Sequence, residues 1–225
     1  MFAQTKPAKP PVKKDSVQRD TVKNRYLPTG IRIGTDAIAL IKSQTQSNYS
    51  GWEVNADVDF NRFYLAYDRG TWSRNFHGDS AQYSNNGNYW RLGADVNFLL
   101  KDPDRNMFFV GFRYGKSTFS ENMSIENYDK IWGKSVQNYV NQNASAKWKE
   151  ITTGLRVKMW KFIWMGYTAR FKFGMKPSGN LVMLPTDIPG YGRTNKETAW
   201  GFNYQIFFRI PFRKMPPLPA AKKKP

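Results

Sequence analysis

The chain has 225 residues, a formal charge of +18 and no cysteine, and 16% of its residues are aromatic. Its mean hydropathy of -0.66, with no run approaching the roughly 20 apolar residues of a membrane helix, excludes a helical membrane protein. The missing cysteine excludes disulfides, zinc-thiolate sites and thiol nucleophiles. A strand-built membrane barrel stays open, because only alternate residues of its strands meet lipid.

Taken in chain order, residues 1–25 form a basic, proline-rich tail carrying Lys6, Lys9, Lys13, Lys14, Arg19, Lys23 and Arg25. Phe2-Ala3-Gln4 looks like the small-residue end of a signal peptide, so the start reads as a trimmed or mature form. A second basic tail covers residues 214–225. With Arg213, the tails hold about half of the net charge and are expected to be extended or disordered. A nucleic-acid-binding domain would instead gather its basic residues on one folded face, so no nucleic-acid partner is expected.

Between the tails, period-two alternation recurs in eight runs, the mark of strands with two different faces. The first spans 31 to 42, with Ile31, Ile33, Ala37, Ala39 and Ile41 opposed to Arg32, Gly34 and Asp36. The second sets Trp52, Val54, Ala56, Val58 and Phe60 against Glu53, Asn55, Asp57 and Asp59. Asn61-Arg62 turns into the third, where Phe63, Leu65 and Tyr67 alternate with Tyr64, Ala66 and Asp68. A bulge is expected beyond Gly70. The fourth opposes Trp90, Leu92, Ala94, Val96 and Phe98 to Arg91, Gly93, Asp95 and Asn97, and a turn at 102–105 leads to the fifth, with Phe108, Val110, Phe112 and Tyr114 against Gly111, Arg113, Gly115 and Ser117. The sixth and seventh pivot near Lys161, and their polar side carries Glu150, Arg156, Lys158, Arg170 and Lys172. The eighth places Trp200, Phe202, Tyr204, Ile206 and Phe208 opposite Gly201, Asn203, Gln205 and Arg209. Short turns alternate with longer loops at 43–50, 75–88, 120–147 and 175–196, as in outer-membrane barrels.

Size decides which face is inside. An eight-stranded barrel has an interior only just filled by side chains, and the polar face carries nearly every strand glycine while the apolar face is crowded with aromatics. The apolar face is therefore expected outward. The expected fold is an all-β, eight-stranded antiparallel up-and-down transmembrane barrel over 26–213, between disordered basic tails.

The inward charges form the main candidate site: Arg32, Asp36, Glu53, Asp57, Asp59, Asp68, Arg91, Asp95, Arg113, Glu150, Arg156, Lys158, Arg170, Lys172 and Arg209. Most acids come from the first four strands and most bases from the later ones, so closure sets opposite charges across the lumen, where they must pair. A plug of salt bridges is expected, with a polar pathway for ions or protons as the alternative. The lone histidine, His77, precedes Asp79 and Ser80 in a polar loop, a poor place to hold a catalytic triad. No metal-loop spacing or phosphate-binding glycine motif occurs, so no enzyme activity, metal or cofactor is expected. In the loops, Tyr128, Trp132, Tyr139, Leu181, Met183, Leu184 and Tyr191 would either contact a protein partner or cap the barrel mouth.

The segments TGIRIGTDAIALI, GWEVNADVDFNRFYLAYDRG, YWRLGADVNFLLKDPDRNMFFVGFRYGKSTFS and WGFNYQIFFRIPF resemble a Bacteroidota outer-membrane β-barrel family of unknown function. The resemblance covers most of 26–213 but not the tails or the segment 127–146. It implies the outer membrane of a Gram-negative cell and transfers no functional residue. The expected role is a non-enzymatic scaffold or accessory subunit of a larger outer-membrane assembly or secretion complex. Lipid and other envelope proteins would be its partners. The termini would be periplasmic, and the basic tails would touch acidic periplasmic partners or lipid phosphates. A narrow pore or uptake channel, or a lipid-modifying enzyme using His77, are the competing expectations.

Overall fold

The computed structural model describes residues 27–213, so the tails read at 1–25 and 214–225 lie outside the described residues. Eight antiparallel strands close into an up-and-down barrel: β1 (Gly30–Asp36), β2 (Tyr49–Phe60), β3 (Phe63–His77), β4 (Ala81–Asn97), β5 (Met107–Asp129), β6 (Gly133–Lys158), β7 (Ile163–Ser178) and β10 (Ala199–Pro211). β1 closes on β10 from Gly30 opposite Pro211 to Asp36 opposite Gln205. The predicted all-β, eight-stranded class is the observed one. One helix, α1 (Ala37–Thr45), follows β1, and two short strands, β8 (Asp187–Ile188) and β9 (Gly192–Arg193), form a small hairpin between β7 and β10.

The faces follow the alternation. On β2, Glu53, Asn55 and Asp57 are at most 2% exposed while Trp52 and Val54 exceed 40%. The apolar side chains therefore stand on the outside of the barrel and the polar ones in its lumen. The tight turns also fall where expected, with Asn61 and Arg105 both in left-handed conformation.

Several expectations need correction. The first run is not one strand: at Ala37 it becomes α1, because Asp36 caps the helix by accepting the Ile38 N–H at 3.1 Å and Ala37, Ala39, Leu40 and Lys42 favour helix once it is capped. Ala37, Ala39 and Ile41 are thus helical. The segments 75–88 and 120–147 are mostly strand: β3 and β4 meet in a short turn after His77, and β5 and β6 run on to a turn at 130–132. Cross-strand pairing lets polar, Asn- and Ser-rich sequence stay extended where no apolar alternation marks it. No bulge follows Gly70, for the β3 register is regular on both sides. The register shifts occur instead between Phe119 and Glu121 and between Lys147 and Lys149.

The lumen also holds large aromatics that the size argument had placed outside. Phe109, Trp148, Trp164 and Phe207 point inward and are buried. They fit because several stand directly opposite a glycine: Phe109 faces Gly154 and Trp148 faces Gly115, and a Cβ on either glycine would run into the ring. The space freed on one strand is filled from its neighbour.

Candidate functional site

The lumen is organised in tiers. At the end of the barrel where β1 begins and β10 ends, the Asp59 carboxylate accepts the Thr29 N–H and hydroxyl, both at 2.6 Å, and pairs with Arg209 at 2.9 Å, which fixes the entry of the chain into β1. Above it Asp57 on β2 receives Arg32 at 2.8 Å and Arg156 at 2.5 Å. Aromatic rings flank these guanidiniums: Arg32 lies 4.8 Å from the centre of Tyr64, and Arg156 sits 4.8 Å from Phe109 and 4.6 Å from Phe207. Such contacts replace part of the hydration that the arginines lose on burial.

The middle tier is the densest. Arg113 reaches Asp95 at 2.7 Å and Asp68 at 3.2 Å, and Arg170 reaches Asp68 and Glu150, each at 3.1 Å. Arg91 bonds Glu53 and lies 3.6 Å from Glu150. Neutral donors complete the carboxylates: Tyr89 donates to Glu53 at 2.6 Å, Asn55 to Glu53 and Asp68 at 2.7 Å, and Trp148 to Glu150 at 2.7 Å. Through the lower and middle tiers, the buried arginines 32, 91, 113, 156 and 170 meet the buried carboxylates 53, 57, 68, 95 and 150. Charge is balanced within this set.

Two of the pairs are cross-braces. Asp57 on β2 and Arg156 on β6 come from diametrically opposite strands, as do Asp68 on β3 and Arg170 on β7. They tie the walls together across the lumen. Desolvating so many charges is costly, and only this density of pairing and hydrogen bonding makes it tolerable.

The remaining candidates sit at the edges. Asp36 accepts Asn203 at 2.7 Å besides capping α1. Lys172 does not join the carboxylates by direct contact: its ammonium donates to the carbonyls of Gly190 at 2.7 Å and Tyr191 at 2.9 Å. Lys158 is corrected outright, for it is exposed at the end of β6, past the last lumenal side chain of that strand, Arg156.

The mouth at the other end of the barrel is closed by the β7–β10 connection. Ile188 and Tyr191 are buried in an apolar cluster with Tyr89, Phe119 and Trp148, the Tyr191 and Trp148 rings meeting edge-on at 5.8 Å. Polar bonds seat the rest: Arg74 pairs with Asp187 at 2.6 Å, Asn85 donates to the Asp187 carbonyl at 2.7 Å, and Glu121 accepts Tyr83 and Asn141, each at 2.8 Å, and the Thr186 N–H at 3.2 Å. Of the residues expected either to contact a partner or to cap the mouth, Tyr191 and the half-buried Leu181 cap it. Met183 is half-buried and Leu184 exposed on the connection's outer side. Glu121, Arg74 and Asp187 were missed by sequence reasoning. Glu121 and Arg74 had a signal, since they continue the inward parity of Gly115, Ser117 and Phe119 on β5 and of Ala66, Asp68 and Gly70 on β3.

Tyr128 and Trp132 are exposed at the tip of the β5–β6 hairpin, and Tyr139 lies lower on β6, donating to Gln137 at 2.8 Å. His77 ends β3 opposite Gln82 and lines a shallow depression with Asn75, Tyr83, Ser84, Asn122 and Ser124. Its imidazole has no hydrogen-bond or ion-pair partner among the described residues.

Among solved structures, the chain is similar to the N-terminal β-barrel domain of Pseudomonas aeruginosa OprF, with 13% identity over 82% of this chain and 100% of that one and a TM-score of 0.35. It is also similar to Acinetobacter baumannii CarO, with 10% identity over 84% of this chain and 100% of that one and a TM-score of 0.41. No curated protein matches the chain. A family match runs through residues 1–215, nearly the whole chain, and by it the protein belongs to the family described as domain of unknown function DUF6048.

Proposed function

We propose that this protein is an outer-membrane barrel with a closed lumen, acting as a non-enzymatic scaffold or accessory subunit of a larger outer-membrane assembly, with its termini in the periplasm. The outward face supports the membrane setting. Near the termini it carries Phe63, Phe98, Phe108, Phe162 and Phe208, and further up Trp52, Trp90, Tyr114, Phe171 and Trp200, with Val, Leu and Ile between. From Phe60 to Trp52, at about 3.4 Å per residue and a tilt of about 40°, the two aromatic bands lie roughly 20 Å apart. Two girdles around an aliphatic belt suit a bilayer. The resemblance to Bacteroidota barrels supports that source for the envelope.

The observation that carries the role is the filled lumen. Buried ion pairs occupy it, cross-braces span it and the β7–β10 connection seals its mouth. That leaves the surface as the working part, above all the tip of the β5–β6 hairpin, where Tyr128, Ile131 and Trp132 are 80%, 84% and 87% exposed. The basic tails would engage acidic periplasmic partners or lipid phosphates.

Planar-bilayer recording with purified protein tests the closed lumen: a silent bilayer is expected, and steady ion conductance would overturn it. Gentle solubilisation followed by size analysis and mass spectrometry tests the assembly. A lone monomer under every mild condition would count against the scaffold role.

A further inference from the structure

On the outward face, the strand register brings cations into a row. Lys116 on β5 stands opposite Lys147 on β6, which stands opposite Lys176 on β7. On the other side Lys116 faces Trp90, and Trp90 faces Arg69. Lys149 follows on β6, between Tyr114 and Phe173. Their neighbours along the strands point into the barrel, among them Gly115, Ser117, Ala146 and Trp148, so the basic side chains point away from it.

Like charges directly opposite one another destabilise a strand pair, and here three lysines are consecutive. None of these cations has an ion-pair partner among the described residues. The strand carboxylate that does face outward, Glu126, is spent on Lys134 at 2.7 Å near the hairpin tip. An anion lying over the row would relieve this repulsion.

Its height says which anion. The row lies just above the Trp90–Tyr114 pair, whose rings are 5.8 Å apart, and above the cluster of Phe171, Phe173 and Trp200. That is the girdle bounding the apolar belt on the side away from the termini, so the lysines stand at headgroup level. With neighbouring strands about 4.8 Å apart, the three ammonium groups spread over roughly 10 Å, a reach suited to more than one phosphate.

We propose that Lys116, Lys147 and Lys176 bind the phosphate groups of a multiply phosphorylated lipid headgroup in the leaflet opposite the termini. This rests on the membrane reading above. Trp90 and Tyr114 would pack against the lipid below its headgroup, and Arg69 and Lys149 would flank it.

The test has two stages. The full chain is first floated with neutral phosphatidylcholine vesicles, and failure to float overturns both the membrane reading and the lipid site. In neutral nanodiscs, diphosphoryl lipid A, its dephosphorylated form and free pyrophosphate are then titrated against tryptophan fluorescence. The dephosphorylated lipid is expected to bind about tenfold more weakly or worse, as is the diphosphoryl lipid to the triple variant Lys116→Gln, Lys147→Gln, Lys176→Gln. The corresponding triple Arg variant should retain binding, and so should Lys101→Gln, Lys130→Gln, Lys161→Gln, which removes the same charge elsewhere. Equal binding of both lipids, or undiminished binding by the first triple variant, overturns the site while leaving insertion intact. Pyrophosphate saturating at the same concentrations as the lipid would overturn it in favour of a soluble phosphate.

Discussion

Gly34 on β1 lies directly opposite Phe207 on β10 at the seam that closes the barrel, and a Cβ on Gly34 would come within 2.5 Å of the Phe207 ring. Phe207 in turn packs 4.6 Å from the Arg156 guanidinium. Closure of the sheet and the charge network of the lumen therefore meet at one pair of residues. Valine is a better strand former than glycine, yet Gly34→Val should destabilise the barrel by about 1–3 kcal/mol through overpacking. Adding Phe207→Leu should recover part of the loss. Urea unfolding in detergent, followed by tryptophan fluorescence, reads both, and a Gly34→Val barrel as stable as the parent would refute the size match.

Removing one arginine from the middle tier should cost more than removing a pair. Arg113→Met leaves Asp95 without its nearest cation and Asp68 with Arg170 and Arg91 alone in a buried setting, an expected loss of about 3–5 kcal/mol. Adding Asp95→Asn removes the stranded charge and should restore a substantial part. A double-mutant cycle on unfolding free energies measures the coupling, and strictly additive losses would mean that Arg113 and Asp95 do not act as a unit.

The lumen was legible in the sequence because its signal is local. Glu53, Asp57, Asp68, Asp95, Arg113, Arg156 and Arg170 each occupy an inward position of a clean alternation, so parity alone assigns their face. The helix α1 was not, since Ala37-Ile38-Ala39-Leu40-Ile41 is apolar at every step and the deciding event is the Asp36 cap. The inward Phe109, Trp148 and Phe207 were missed because each depends on a glycine in a different strand, a pairing fixed only by register. Asp187 and Tyr191 lie in a connection without periodicity, and their burial follows from chain reversal into the mouth.

The closure of that mouth should depend on pH. Burial pushes the Asp187 carboxyl up from its usual range, against the pull of Arg74, and its Oδ1 has no hydrogen-bond partner. The docked connection then holds the Asp187 proton more tightly than the undocked one. Docking gains from this group below the ordinary carboxylate value of about 4, and the gain is lost as pH rises through the raised value. Hydrogen exchange at residues 186–191, corrected for intrinsic rates between pH 4 and 7.5, should show protection falling as pH rises. Asp187→Asn should flatten that trend, and protection that instead increases with pH would reverse the assignment.

The β5–β6 tip should separate stability from partnership. Asp129 accepts the N–H groups of Ile131 at 2.7 Å and Trp132 at 3.0 Å, a turn that presents both apolar side chains to the outside. Neither packs on the barrel core, so Tyr128→Ser, Ile131→Ser, Trp132→Ser should change unfolding stability by less than about 0.5 kcal/mol per site. The same changes remove three neighbouring anchors of the kind that dominate protein interfaces. A partner that co-purifies with the parent chain should therefore be lost from the triple variant. Asp129→Ala, which frees the turn but keeps the anchors, should weaken the association without abolishing it. If the triple variant retains its partner at parental stoichiometry, the contact lies elsewhere on the barrel.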